Sequence, residues 1–249
     1  KEAKTHTSWV NPNHAYDEAV AQFLARILRG RPDPDFLADF RRLQEVVAFY
    51  GMLNALAQTL LQLTVPGVPD IYQGSELWDF SLVDPDNRRP IDYARRIALL
   101  DDAVRPAHDL LENWRDGRVK LQLIQRVLHE RRAHAGVFTT GDYRPLDASG
   151  CREANVVAFS RADRNEAFVV VVPRLAVGLT RNSPAFPLGA QTWGNTVLTI
   201  PQARSAETYR NVLTGEELAT MEQAGCVALP LSEILATFPV ALLRRSGER

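Results

Sequence analysis

The sequence predicts an α+β chain: a helical segment followed by an antiparallel β region. Three observations lead there. Apolar residues recur at three- and four-residue spacing until about Gly141, and short β-rich runs take over after it. Within the helical part, the run Thr64 to Arg89 begins with Pro66, Gly67 and Pro69, so it holds a strand of little more than Val68 to Tyr72 before Gly74 releases it into a polar loop.

The elements follow in order. From Asn13 to Arg29, Val20, Phe23, Leu24, Ile27 and Leu28 make one apolar stripe, and Gly30 and Pro32 end the helix. A second helical run, Pro34 to Leu63, carries Phe36, Phe40, Leu43, Val47 and Tyr50, then Leu53, Leu56, Leu60 and Leu61; Gly51 is a candidate break between two helices. Further helices are expected at Asp92 to Leu100, Pro106 to Trp114 and Arg118 to His134, the last stopped by Gly136. Beyond Gly141, Val156 to Phe159 and Ala167 to Val172 flank the polar turn Arg161 to Asn165 and predict a hairpin. Short runs at Thr196 to Ile200, Thr208 to Leu213, Val227 to Leu229 and Phe238 to Leu243 complete the pattern of an antiparallel β-sandwich of roughly 80–100 residues.

Composition excludes several classes. Hydrophobic residues make up 45% of the 249 positions, charged residues 24%, and the net charge is -1, which leaves no clustered basic excess for nucleic acid. No stretch reaches the roughly 18 consecutive apolar residues of a membrane span. Lys1-Glu2-Ala3-Lys4 lacks a signal peptide's apolar core, and Cys151 and Cys226 have no companion at metal spacing. A cytoplasmic chain with free thiols, no cofactor and no metal is expected. It begins without Met and in mid-pattern, which suggests a fragment.

The chemistry concentrates from Tyr72 onward, on both sides of Gly74. Gln73, Glu76, Asp79, Asp84, Asp86, Asn87, Arg88 and Arg89 supply donors and acceptors, while Tyr72, Trp78 and Phe80 supply flat apolar faces. That mixture suits a sugar, whose ring has an apolar face and a rim of hydroxyls.

The run Pro66-Gly67-Val68-Pro69-Asp70-Ile71-Tyr72-Gln73-Gly74-Ser75-Glu76 resembles the last barrel strand and following loop of the α-amylase clan of glycoside hydrolases. Its continuation, Leu77 to Asp92, is most similar to the maltooligosyltrehalose synthase family, as is the opening Lys1 to Trp9 with Asn11-Pro12. Tyr209 to Glu216 is similar to a hairpin in the clan's β-sandwich. The resemblance runs from end to end of the chain and covers only the carboxy-terminal part of the family's longer protein.

It implies the end of a (β/α)₈ barrel over 1–92, a helical segment over 93–140 and a terminal β-sandwich over 141–249. A barrel takes eight strands and about 250 residues, so this one is incomplete and the rest of it is an expected partner. The implied activity is isomerisation of the terminal α-1,4-glucosidic bond of maltooligosaccharides to an α,α-1,1 bond, by retaining intramolecular transglucosylation. The catalytic carboxylates would lie upstream, which leaves the 249-residue chain inactive by itself. The alternatives are a hydrolase of the same clan, in which the loop admits water, and a non-catalytic glucan-binding or scaffold module.

The resemblance makes Gln73, Glu76, Trp78, Asp84, Asp86, Asn87, Arg88 and Arg89 the candidate contacts to a maltooligosaccharide. For Glu76 two roles are open: holding sugar hydroxyls, or pairing with Arg88 or Arg89 to pin the loop. The need of a long polar loop for internal hydrogen bonds favours the second. Trp9 and Trp78 either stack on sugar rings or belong to the core. His6, beside Thr5, Thr7 and Ser8, either lines a cleft or is structural.

Two metal motifs fail, one on spacing and one on residue type. His129-Glu130 and His134 approach H-E-x-x-H, but the second His comes five residues on, about 140° round a helix. In Asp84-Pro85-Asp86-Asn87-Arg88-Arg89, arginines stand where a calcium loop needs an oxygen ligand and Gly.

Overall fold

The computed structural model of the protein describes residues 1–29, 34–81, 89–101, 105–201, 203–223 and 225–246. Gly30 and Pro32, the expected stop signals of the first helix, fall outside them. The chain separates into two compact units, Lys1–Phe49 and Tyr50–Arg249.

The first unit holds helix α1 (His14–Arg29) and the beginning of α2 (Pro34–Thr64). Asn13 starts α1 by accepting the Tyr16 N–H on its Oδ1 at 3.1 Å, which satisfies one of the open donors of a helix start. The stripe read from the sequence is present, but it is not covered. Val20, Phe23, Leu24 and Leu28 of α1 and Phe36, Phe40, Leu43 and Val47 of α2 are each 40% exposed or more. Among the described residues of this unit Phe49 is the only buried hydrophobic side chain.

Helix α2 does not break at Gly51. A Cβ there would meet nothing within 4 Å, and the hydrogen bonds of a long helix outweigh one Gly, which costs roughly 1 kcal/mol. By length and composition α2 is the one described helix apolar enough to cross a membrane, with mean hydropathy 1.4 over 18 residues. Its second half is a core helix, burying Leu53, Leu56, Leu60 and Leu63 while exposing Asn54, Gln58 and Gln62 at four-residue spacing.

Residues 68–72 form no strand. A strand exists through the ladder to its neighbours, and the described residues provide none here; Val68 is almost fully exposed. Helices α3 (Tyr93–Asp101), α4 (Ala107–Glu112) and α5 (Arg118–Ala133) follow, and after a cap at His134 the chain resumes as α6 (Ala135–Thr140), running through Gly136.

The remainder is a mix of short helices and two antiparallel sheets. Strands β1 (Asp142–Pro145), β3 (Val156–Ala162), β4 (Ala167–Pro173), β10 (Ala241–Arg245), β6 (Thr208–Asn211) and β7 (Glu217–Ala219) form a six-stranded sheet in that order. Strands β2 (Ala148–Ser149), β5 (Val197–Thr199), β9 (Cys226–Pro230) and β8 (Met221–Gln223) form the second. The predicted β3–β4 hairpin closes at Asp163, whose Oδ1 accepts the N–H groups of Asn165 and Glu166, both at 2.8 Å. Strands β1, β2, β7 and β8 escape the sequence reading because they are short and mostly exposed.

Directly opposed residues share a face, so the six-stranded sheet sorts its side chains cleanly. Ala158, Val169, Val171 and Leu243 enter one buried cluster with Leu198 and Leu229 of the second sheet, Trp193 of α7 (Gly189–Trp193) and Ile234 of α8 (Leu231–Ile234). Phe159, Arg161 and Phe168 point the other way, toward the helices, where the rings of Phe138 and Phe168 lie 5.0 Å apart. Arg161 is 1% exposed there and donates to the carbonyls of Thr64, Val137, Phe138 and Gly141 at 2.9–3.2 Å, closing the ends of α2 and α6.

Candidate functional site

The polar loop folds back on α3 and α5 and is pinned from both. Gly74, with φ +92°, makes a turn that L side chains resist; a Cβ would stand 2.9 Å from Ile91 Cδ1. Arg96 of α3 then reaches three points. Its Nε donates to Glu76 Oε2 at 2.8 Å, its Nη2 to the Gly74 carbonyl at 2.6 Å and its Nη1 to the Asp92 carbonyl at 3.1 Å. From α5, Lys120 Nζ donates to the carbonyls of Ser75 at 2.6 Å and Leu77 at 3.3 Å. Leu77 is the loop's buried anchor, seated on Gly117, where a Cβ would come within 3.1 Å of it.

Between this loop and residues 89–92 lies a cleft of about 310 Å³ lined by Gln73, Trp78, Asp79, Phe80, Arg89 and Asp92, with Arg96 at its base. Trp78 is half-buried; its Nε1–H donates to the Trp114 carbonyl at 2.7 Å and its ring meets that of Trp114 edge-on at 6.3 Å. Phe80 is almost fully exposed. Asp79 accepts the Ser81 hydroxyl at 2.7 Å and the Ser81 N–H at 2.9 Å, bonds that hold its carboxyl below the usual range. Asp92 accepts the Arg95 N–H at 2.9 Å at the start of α3. Both carboxylates of the cleft therefore hold backbone.

Charge follows the same design. Burial raises the Glu76 carboxyl, but the bond from Arg96 and the N–H groups of Glu76 and Gly74 outweigh it and leave the group below its ordinary value. Burial pushes the Lys120 ammonium down, opposed by the nearby Asp79 and Glu76.

The structure brings three of the eight candidate contacts, Gln73, Trp78 and Arg89, into one cleft. Gln73 accepts the Tyr93 hydroxyl on Oε1 at 3.1 Å, and Trp78 and Arg89 line the same cleft. Glu76 acts as an internal loop pin, held by Arg96, a partner the sequence reading did not name. Asp84, Asp86, Asn87 and Arg88 lie outside the described residues. Sequence reasoning missed Arg96 and Lys120, which stand 20 and 45 residues from the groups they hold, Glu76 and Ser75. No local motif joins such positions.

Elsewhere, Trp9 is about half exposed with Lys1 Nζ 4.9 Å from its ring, and its indole donates to Glu2; His6 packs against Tyr16 at 5.0 Å. His134 belongs to an ion cluster, 3.5 Å from Glu130 and 3.1 Å from Arg244. Among the described residues one grouping with metal-ligand spacing occurs, His108, Asp109 and Glu112 on the short helix α4, and no buried group supports it.

No family model matches this chain. It is 37% identical over 247 residues to the maltooligosyl trehalose synthase of Mycobacterium tuberculosis, which covers 99% of this chain and 27% of the relative. The solved maltooligosyltrehalose synthase of Arthrobacter ramosus superposes with a TM-score of 0.72 at 33% identity, over 98% of this chain and 28% of that one. A further solved maltooligosyl trehalose synthase gives a TM-score of 0.67 at 27% identity, with the same coverage. This chain thus spans about 27% of the length of its curated relatives. From end to end it is a homologue of the carboxy-terminal portion of maltooligosyltrehalose synthases.

Proposed function

We propose that this chain forms the carboxy-terminal part of an enzyme that converts the terminal α-1,4 bond of a maltooligosaccharide into an α,α-1,1 bond. In this reading residues 1–92 end a catalytic barrel, 93–140 bridge it, and the two sheets of 141–249 make a β-sandwich. The observation that carries it is the pinned cleft of Gln73, Trp78, Asp79, Phe80 and Arg89, which offers aromatic faces beside polar forks to a sugar ring. The uncovered apolar stripes of α1 and α2 support it too, because they are the faces that the rest of a barrel would bury.

The chemistry balances as a double displacement. A carboxylate on the missing part of the barrel attacks the anomeric carbon, while an acid partner about 5 Å away protonates the leaving oxygen of the reducing-end glucose. That glucose turns within the site. Its anomeric hydroxyl, deprotonated by the same partner, attacks the glycosyl-enzyme and displaces the carboxylate, so the α configuration is kept. Water in the site would give hydrolysis instead, and Trp78 to Arg89 is the segment we assign to exclude it.

The test is to incubate a protein carrying this chain behind a complete barrel with maltopentaose, and the 249-residue chain in parallel. Loss of reducing ends without released glucose is expected from the first and no reaction from the second. Glucose as the main product would identify a hydrolase, and transfer by the 249-residue chain alone would overturn the assignment of the carboxylates.

A further inference from the structure

A second hollow, of about 190 Å³, lies between the inner face of the six-stranded sheet and Ile200–Pro201 after β5. It shares no lining residue with the cleft at Gln73. Its origin is side-chain size. The register pairs Arg144 with Ser160, Ser160 with Val169 and Ala162 with Ala167, so Ser160, Ala162 and Ala167 stand together on the face that carries Val171 and Leu243 further along. Three small residues leave a solvent-open depression at the end of the core, with room for a ligand ring in place of water.

The lining is amphipathic. Leu146, Val169 and Ile200 give an apolar floor, and Arg144, Ser160 and Arg245 bring polar groups. Charge at the mouth is compensated. Arg144 lies 3.2 Å from Asp142; Arg245 lies 3.8 Å from Glu207 and donates to the Asn165 carbonyl at 3.0 Å. Asp163, which also lines the hollow, adds a further carboxylate. No positive surplus remains to select an anion. The Ser160 hydroxyl has no hydrogen-bond partner among the described residues. Pockets for drug-sized ligands start at roughly 300 Å³, so this hollow takes a single ring.

We propose that the hollow is a second carbohydrate site that holds one neutral pyranose unit. Its floor receives the apolar face of the ring, and Ser160, Arg144 and Arg245 bind hydroxyls. The choice of an α-glucan end as its ligand rests on the proposed function; the size and charge of the hollow do not.

Titration calorimetry with maltose on the complete protein tests this, using Ala167→Leu to fill the hollow, Ala162→Val as a milder filler and Trp78→Ala to damage the cleft. A binding component should weaken at least tenfold in Ala167→Leu or Ala162→Val, with thermal unfolding retained, and persist in Trp78→Ala. Sodium phosphate should give no heat that either filling variant removes. If all maltose binding survives in a folded filling variant, or no maltose binds, the hollow is not a sugar site. If the only component is the one lost in Trp78→Ala, the cleft reading stands and this proposal falls.

Discussion

Arg96 lies 2.8 Å from Glu76 across 20 residues of sequence and, from the same guanidinium, holds the carbonyls of Gly74 and Asp92. One side chain therefore fixes both walls of the cleft. The pair is partly buried and made through Nε alone, while the two Nη groups hold backbone, so the guanidinium is fixed from three sides and the charge-assisted bond is less open to solvent screening.

Acid should release this pin. The folded carboxyl of Glu76 sits below its ordinary value of 4.5, so its contribution is complete above that pH and is lost as pH falls through the lower folded value. Thermal unfolding of the wild type and Glu76→Gln from pH 7 to pH 3 checks the sign. The gap between the two midpoints is expected to be widest at neutral pH and to close toward pH 3; a constant gap would show that the pair contributes nothing ionic.

Lys120→Met removes two bonds to loop carbonyls while keeping most of the buried stem. Bonds to charged groups contribute about 1.5–3 kcal/mol, so stability should fall by an amount of that order. In the complete protein KM for maltopentaose should rise more than kcat falls, because the loop is held less firmly and the reacting groups are untouched. Steady-state kinetics of Lys120→Met beside Lys120→Arg separates the effects, since Arg restores a charged donor.

Arg161→Met should be the most destabilising single change. It removes the guanidinium donor from the carbonyls of Thr64, Phe138 and Gly141, while that of Val137 keeps the Gly141 N–H, in a largely buried site, at a cost of about 3–5 kcal/mol. Denaturant unfolding measures it, and a loss under about 1 kcal/mol would show that water replaces the guanidinium.

These residues mark what the sequence discloses. The stripes of α1 and α2, the Asp163 turn and the strand runs of β3 and β4 follow from period and turn chemistry, which are local. The end-to-end resemblance located the cleft loop, because Pro66 to Glu76 is a contiguous motif. Arg161 looked like a turn residue and became the central buried donor of the helix layer. Arg96 and Lys120 carried no signal, since their roles depend on the packing of α3 and α5 under a loop far away in sequence. The strand expected at Val68 to Tyr72 is missing for a related reason: its ladder needs neighbours that these residues do not supply.

In the complete protein, Arg88→Ala or Arg89→Ala should raise free glucose relative to trehalose-ended product, because a looser cap admits water to the glycosyl-enzyme. Arg89 lines the cleft, while Arg88 lies outside the described residues. Product ratios from maltopentaose decide between them. Unchanged ratios and rates in both variants would reduce the pair to surface charge.

In the proposed function the cleft between Gln73 and Arg96 faces the glucan. Amide hydrogen exchange of the complete protein, with and without maltopentaose, tests it most directly. Slower exchange at residues 73–81 and 89–92 is predicted. Unchanged exchange there, under conditions where substrate is bound and turned over, would contradict it.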